Sequence, residues 1–275
     1  MNLDNQVAVL TGAASGIGRA LAEQLAGKGC HLALVDRDEA GLRETLARLP
    51  RTGRHVSLHV LDLAQRDAVR TLPEQVLQEH PTVHLVINNA GVAVGGSFDR
   101  VSEEDFDWLM AINFQAVVDI TRGFLPVLQR NGARGKFVNV SSLYGLVSPP
   151  GQAAYSASKF AVRGFSNSLR HELRGSSVDM MVVHPGGIAT SIATNAKAPK
   201  DIDPAEVERQ RKEMNRLLRM PPSKAAGIIL NGIEKDRARV IVGIDALILS
   251  IIERLVPVNY WGIVERLMNQ RGRAR

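Results

Sequence analysis

One cysteine, Cys30, stands in a chain of 275 residues, which excludes an internal disulfide and any cysteine-based metal cluster. Aromatic residues make up 4% of the chain, so a core has to be built from Val, Leu, Ile and Ala. That composition suits buried parallel strands covered by helices. The opening "MNLDNQVAVLTG" lacks a basic segment followed by a long apolar run, so no signal peptide is read there. The most apolar late stretch, 240–258, is interrupted by Asp245, Glu253 and Arg254, too often for a bilayer span. Of the seven histidines (31, 55, 59, 80, 84, 171 and 184), none forms ligand spacing with acids on one helix. His55 and His59 share a strand face, but two are too few, so the histidines read as scattered and structural, and no metal is expected. The net charge is +6 with a pI near 9.8, yet most basic residues are diluted by neighbouring acids. The exception is "RLMNQRGRAR" at 266–275, read as a solvated tail, with an anionic membrane or nucleic-acid partner as the alternative. A cytoplasmic protein that binds no nucleic acid is the expectation.

Short apolar runs alternate with helical patterns along the chain. Strands are expected at 7–12, 31–36, 55–63, 83–91, 135–142, 177–186 and 239–243, with helices between them. Pro73 falls near the start of its helix, one long helix is expected at about 102–130, and another at about 153–174. Alternating strand and helix without a break implies a single α/β domain over 1–275, with a doubly wound Rossmann sheet of seven parallel strands and helices on both faces. The charged, proline-flanked segment 191–222 departs from that rhythm.

"TGAASGIG" (11–18) follows the first strand and opens a helix. Gly12 permits the tight turn, while Gly16 and Gly18 let backbone approach a pyrophosphate and let helix pack on sheet. Ser15 and Ile17 lie in the same turn, whose helix N-terminus offers free N–H groups to the anion. Asp36 follows 24 residues after Gly12, at the end of the second strand. Its carboxylate can accept both ribose hydroxyls of an adenosine and repels a 2′-phosphate; the plain alternative is that it caps the next helix. Arg37 could instead welcome that phosphate. NAD is favoured, with NADP left open.

With "DL" at 62–63, "NNAG" at 88–91, Asn113, Ser142, "YSASK" at 155–159 and "PGGIAT" at 185–190, the sequence resembles the short-chain dehydrogenase/reductase family. The resemblance implies that Tyr155 is the acid/base and that Lys159, at i+4, favours its phenolate and holds the nicotinamide ribose. It implies that Ser142 hydrogen-bonds the substrate's reacting oxygen. Asn113 would interrupt its helix and bind a water linked to the lysine. By the same resemblance Asp62 and Leu63 contact the adenine, and Asn89, Ala90 and Gly91 line the crevice. Pro185, Ile188 and Thr190 form the loop over the nicotinamide. The activity implied is an oxidoreductase that interconverts a secondary alcohol and a ketone, as a homodimer or homotetramer. A non-catalytic dinucleotide-binding redox sensor is the alternative, which has no need of Tyr155 or Ser142.

In this family the segment 191–222 is placed as a substrate lid. Leu143, Tyr144, Leu146 and Val147, after the serine, either favour a lipophilic substrate or pack structurally. The C-terminal extension, about 244–270, puts Ile244, Leu247, Ile248, Ile251, Ile252 and Leu255 on one broad apolar face. Tyr260, Trp261, Ile263, Val264, Leu267 and Met268 continue it. Packing on the core or on a partner subunit is expected, with an interfacial membrane helix as the alternative.

Overall fold

The computed structural model describes residues 1–199 and 201–273, with side chains as far as Arg266. Lys200 in the expected lid, the last two residues, and the side chains beyond Arg266, those of Leu267, Met268 and the tail arginines among them, lie outside that description.

Seven parallel strands form one sheet: β1 (Val7–Thr11), β2 (His31–Asp36), β3 (Val56–Val60), β4 (Leu85–Asn88), β5 (Gly135–Val140), β6 (Val178–Pro185) and β7 (Arg239–Val242). Their spatial order is β3-β2-β1-β4-β5-β6-β7. The doubly wound α/β class is therefore as expected. Alternate residues of each strand enter two separate cores, because successive side chains of a strand point to opposite faces. Leu10, Leu32 and Leu34 face one layer with Leu21, Leu25, Ile229 and Ile233. Val9, Ala33 and Val35 face the other with Val69, Leu72, Ile120 and Phe124. Helices α1 (Gly16–Gly27) and α8 (Pro222–Glu234) cover the first side; α3 (Arg66–Glu79) and α5 (Ala116–Arg130) cover the second. The chain winds outward from β1 to β3, then crosses to β4 on the other side of β1. The winding thus reverses between β1 and β4, and in open α/β sheets the carboxyl ends of the strands at such a point form a ligand crevice.

Three local expectations are corrected. The helix expected at 102–130 is α4 (Glu103–Met110), a π-helical turn (Ala111–Gln115) and α5. Pro73 stands in the middle of α3 rather than near its start, and faces Gly123 of α5. A Cβ on Gly123 would lie 2.6 Å from the Pro73 ring, so the helix crossing needs glycine there. The third concerns the C-terminal helices α9 (Ile244–Leu255) and α10 (Tyr260–Arg273). Of the two packing surfaces expected for the broad face of α9, its own core is not the one: Ile248 is 49% exposed and Leu255 75%. The helix docks instead through the opposite side, with Ala246 fully buried beside Leu143, Val147, Ile241 and Leu249. Small Ala246 lets α9 come close to β7, and that decides which face turns outward. No described helix is long and apolar enough to cross a membrane.

The 191–222 segment carries α7 (Pro204–Leu217), started by Asp203, whose carboxylate accepts from the Ala205 N–H at 3.0 Å. No residue of α7 is buried.

Candidate active site

The glycine turn is closed to any added atom. A Cβ on Gly18 would stand 1.9 Å from the Gly12 carbonyl oxygen, and one on Gly12 2.8 Å from Ala90 Cα. Gly12 and Gly16 have φ of 69° and 53°, the left-handed region that glycine enters without cost. Ser15 occupies the N-cap of α1 without a side-chain capping bond, and no acid stands in the first turn. The helix start thus keeps donor N–H groups and a positive dipole end for an anion. Ile17 packs against the core beneath. Asn89 serves as a strut: its amide donates to the Thr11 carbonyl at 3.0 Å, and the Thr11 hydroxyl accepts from the backbone N–H of both Asn89 and Ala90. The Asn89 side chain therefore faces the turn rather than the open crevice.

Asp36 ends β2 and accepts from the Ala14 N–H at 3.0 Å and the Asp38 N–H at 3.1 Å. The cap of α2 (Glu39–Arg48) is Asp38, which accepts from Gly41 N–H, so the capping alternative for Asp36 falls away. Arg37 is exposed. Asp62 accepts from the Ala64 N–H at 2.9 Å, and Leu63 packs on the second core layer.

The π turn explains how a long helix places Asn113. Asn113 is fully buried, accepts from the Val92 N–H at 2.8 Å and donates to the Val92 carbonyl at 2.9 Å. It also donates to the Ser158 hydroxyl at 3.1 Å, which in turn donates to the Tyr155 carbonyl. Ser158 lies inside "YSASK" yet was not singled out from sequence; its burial on the inner face of α6 (Ala153–Glu172) is what makes it a link. Lys159 is buried, donates to the Val140 carbonyl at 3.2 Å, and its Nζ lies 5.7 Å from the centre of the Tyr155 ring. Gly91 completes the packing, since a Cβ there would approach Lys159 Nζ to 3.1 Å and Asn113 Oδ1 to 3.3 Å. Ser142 caps the short 3₁₀ turn after β5, accepting from Tyr144 N–H, while Ser141 turns to the other face and donates to the Lys159 carbonyl.

Burial pushes the Tyr155 phenol up to about 12, with the Ser142 hydroxyl pulling the other way, and burial pushes Lys159 down to about 8. Burial thus opposes the phenolate that the positive charge of Lys159 is expected to favour.

The loop after β6 is tied down from two directions. Gly187 N–H donates to Asp245 of α9 at 2.7 Å, and its carbonyl accepts from the N–H groups of Arg219 and Met220. Pro185 ends the strand, and Ile188 is buried with its N–H bonded to the Gly186 carbonyl at 3.0 Å. That bond competes with the cofactor contact expected of Ile188. Thr190 lies over Gly16, with its methyl 3.0 Å from a Cβ placed there. Asp245 carried no motif and could not be found from sequence.

Around Tyr155 the wall is apolar: Val94, Leu109 and Ala154 are buried there, with Tyr144, Trp108 and Ile192 packed against them. Tyr144 meets Tyr155 edge-on at 6.0 Å. Leu143 and Val147 face α9 and Leu146 is buried, so of that group only Tyr144 borders the site and the others are structural. The segment 191–222 pairs with this wall. Lys197 N–H donates to the Ala93 carbonyl, and its ammonium sits 3.9 Å from the Trp108 ring centre and 2.6 Å from Asp105.

The histidines are less scattered than the sequence suggested. His31, His55, His59 and His80 gather at β2, β3 and α3, where the Ser57 hydroxyl lies 2.8 Å from His59 Nε2 and 2.9 Å from His80 Nε2. Among the described residues no group of His, Cys, Asp and Glu is arranged to hold a metal.

A model of the short-chain dehydrogenases matches residues 6–201. The chain belongs to that family of oxidoreductases. It is 40% identical over 267 residues to SadH of Mycobacterium tuberculosis, covering 96% of this chain and 95% of that one. Among solved structures, a short-chain dehydrogenase/reductase from Burkholderia phymatum in complex with NAD is 29% identical, with a TM-score of 0.84, over 92% of this chain and 94% of its own. A metagenomic short-chain oxidoreductase in complex with NADP is 30% identical, with a TM-score of 0.71, over 88% of this chain and 98% of its own.

Proposed function

We propose that this member of the short-chain dehydrogenases interconverts a secondary alcohol and a ketone, with NAD as the preferred cofactor and Tyr155 as the acid/base. The observation that carries the reading is the convergence of Asn113 and Lys159 on Gly91, with the Tyr155 ring next to the Lys159 ammonium and Ser142 beside the phenol. A non-catalytic sensor gives no reason for a buried phenol and ammonium to share that place.

The residues fit a dinucleotide. The uncapped start of α1 and the turn that excludes any Cβ suit a pyrophosphate, and Asp36 suits an unphosphorylated ribose. Asp62 and Leu63 would border the adenine. Lys159, Pro185 and Thr190 would border the nicotinamide end, and the nicotinamide supplies or takes up the hydride.

The chain's own part is to move the proton. At about 12 the Tyr155 phenol keeps its proton near neutrality and can give it to a developing alkoxide. In the reverse direction a positive charge beside the phenol lowers the cost of its anion, and Lys159 is placed to contribute that charge. The Ser142 hydroxyl would orient the substrate oxygen. The apolar wall of Val94, Leu109 and Tyr144 favours a lipophilic substrate, and the segment 191–222 serves as the lid that excludes water. Copies of the chain would meet through exposed helix faces to form a homodimer or homotetramer.

The test follows nicotinamide absorbance with NAD, NADP and their reduced forms against lipophilic secondary alcohols and ketones. Turnover with NAD that Tyr155→Phe abolishes supports the reading. Equal turnover by the variant overturns it. A preference for NADP in the unsubstituted protein, or a preference for NAD that Asp36→Ser leaves unchanged, overturns the cofactor assignment.

A further inference from the structure

The molecule holds a second cleft, of about 320 Å³, away from the dinucleotide crevice. Its floor is Val182 and His184 of β6 with Ala238 and Arg239 at the edge of β7; its wall is Arg163, Asn167, Arg170 and His171 of α6. We propose that this cleft binds a doubly charged oxyanion, the phosphate group of a small soluble phosphomonoester.

Three guanidinium groups line one small cleft. Among the described residues none of the three pairs with a carboxylate, whereas Arg66, Arg100 and Arg134 elsewhere each do. Arg163 donates to the Gly145 carbonyl at 3.2 Å, and Arg170 lies 3.3 Å from the His171 ring, neither of which neutralises charge. Burial, then Arg163 and Arg254, weaken the hold of Arg239 on its proton, and Glu253 of α9 offsets this only in part. Arg239 is exposed and Arg163 and Arg170 are half-buried, so all three can reach an anion in the cleft, and planar guanidinium forks match a tetrahedral oxyanion.

His184 is the second, independent observation. It is fully buried, its Nδ1 lies 3.0 Å from the Ser142 carbonyl, and its Nε2 has no hydrogen-bond partner. A neutral ring that donates from Nδ1 turns a lone pair on Nε2, which repels an oxyanion. A protonated ring presents a second N–H donor, so anion binding should take up one proton. The charged and titratable groups around this ring are Arg163, Arg170 and His171 from α6, Arg239 from β7, and Arg254 with Glu253 from α9. Burial holds the free ring down at about 4, against the Ser142 carbonyl that favours its proton. Oxyanion affinity should therefore rise as pH falls, and the cleft is one hydrogen bond away from the backbone of Ser142.

Sulfate is the probe, since it stays a dianion on both sides of neutrality. The full-length protein is first saturated with reduced dinucleotide, so that the glycine turn is occupied. Calorimetry at constant ionic strength is then read in mildly acidic and mildly alkaline buffers, beside the ring resonances of His184. The expected result is binding that tightens in acid, proton uptake, a shifted His184 signal, and a loss of about tenfold or more in R163Q and, separately, in R239Q. Unchanged sulfate binding in both variants, or a His184 resonance that sulfate leaves in place, overturns the proposal. So does binding confined to phosphatidic acid vesicles with none of free sulfate, which would assign the cluster to a lipid surface. Circular dichroism and reduced-dinucleotide binding show that each variant is folded.

Discussion

Around the glycine turn there is no room for a methyl group on Gly12 or Gly18, while on α9 Ile244, Leu247, Ile248, Ile251 and Leu255 all stand exposed. The first region spends small residues to bring backbones into contact. The second displays large apolar residues that its own core does not use. The difference lies in what each region must hold: the turn has to keep Thr11, Gly12, Asn89 and Ala90 in one hydrogen-bonded arrangement, whereas α9 needs only Ala246 and Leu249 to dock. Substitutions should therefore act in opposite ways in the two regions, through catalysis and folding in one and through association in the other.

The largest effect expected is on the proton-transfer residue. Tyr155→Phe should lower kcat by about 10²- to 10⁴-fold, the usual contribution of a positioned acid or base, with dinucleotide binding kept. A steady-state assay with a fluorescence titration separates the two.

Acid should come next, through buried imidazoles. Burial, and then neighbouring histidines, pushes His80 down to about 4, and burial pushes His184 to about 4 as well. A histidine whose folded pKa lies below its unfolded value takes up protons first in the unfolded state. Stability is thus complete above about pH 6.5 and falls as pH drops towards 4, by several kcal/mol for the two together. Urea midpoints across that range would show it, and a flat profile would mean that both rings find solvent in the fold.

Gly18→Ala should cost about 1–3 kcal/mol through overpacking against the Gly12 carbonyl, and should weaken dinucleotide binding further. Asp245→Asn sharpens the comparison, because Asp245 ties α9 to the loop after β6. It should cost about 1 kcal/mol and raise KM for the dinucleotide with little change in kcat. A change in kcat alone would show that the loop is not tied to cofactor binding.

The smallest effect on stability is expected at Ile251→Lys, within about 0.5 kcal/mol, because the side chain is exposed. Sedimentation of that variant decides whether the face is idle. If its oligomeric state matches the parent's, α9 is not a contact between copies. If assembly is lost, the exposed residues belong to a partner surface.

Order and type of the strands, the glycine turn, Asp36 and the tetrad spacing were legible because each is local. Strand alternation, a left-handed glycine and an i,i+4 pair are properties of a few neighbouring residues. Asn113 was legible only as a motif, for the π turn that buries it depends on its bonds to Val92 and Ser158, 21 and 45 residues away. The same holds for Asn89, expected to line the crevice, whose amide holds Thr11 and Gly12 across strands.

The sequence by itself determined the fold class and the chemistry available to the site, since period, turn residues and side-chain type are carried by short stretches of chain. The tertiary structure decided the rest. It chose which face of α9 is covered, gathered four histidines from separate elements, turned Leu143 and Val147 into core, and brought Arg163 and Arg239 to one cleft. Those outcomes depend on contacts between residues far apart in the chain, where close packing and the cost of buried charge select one arrangement among several that the local pattern allows.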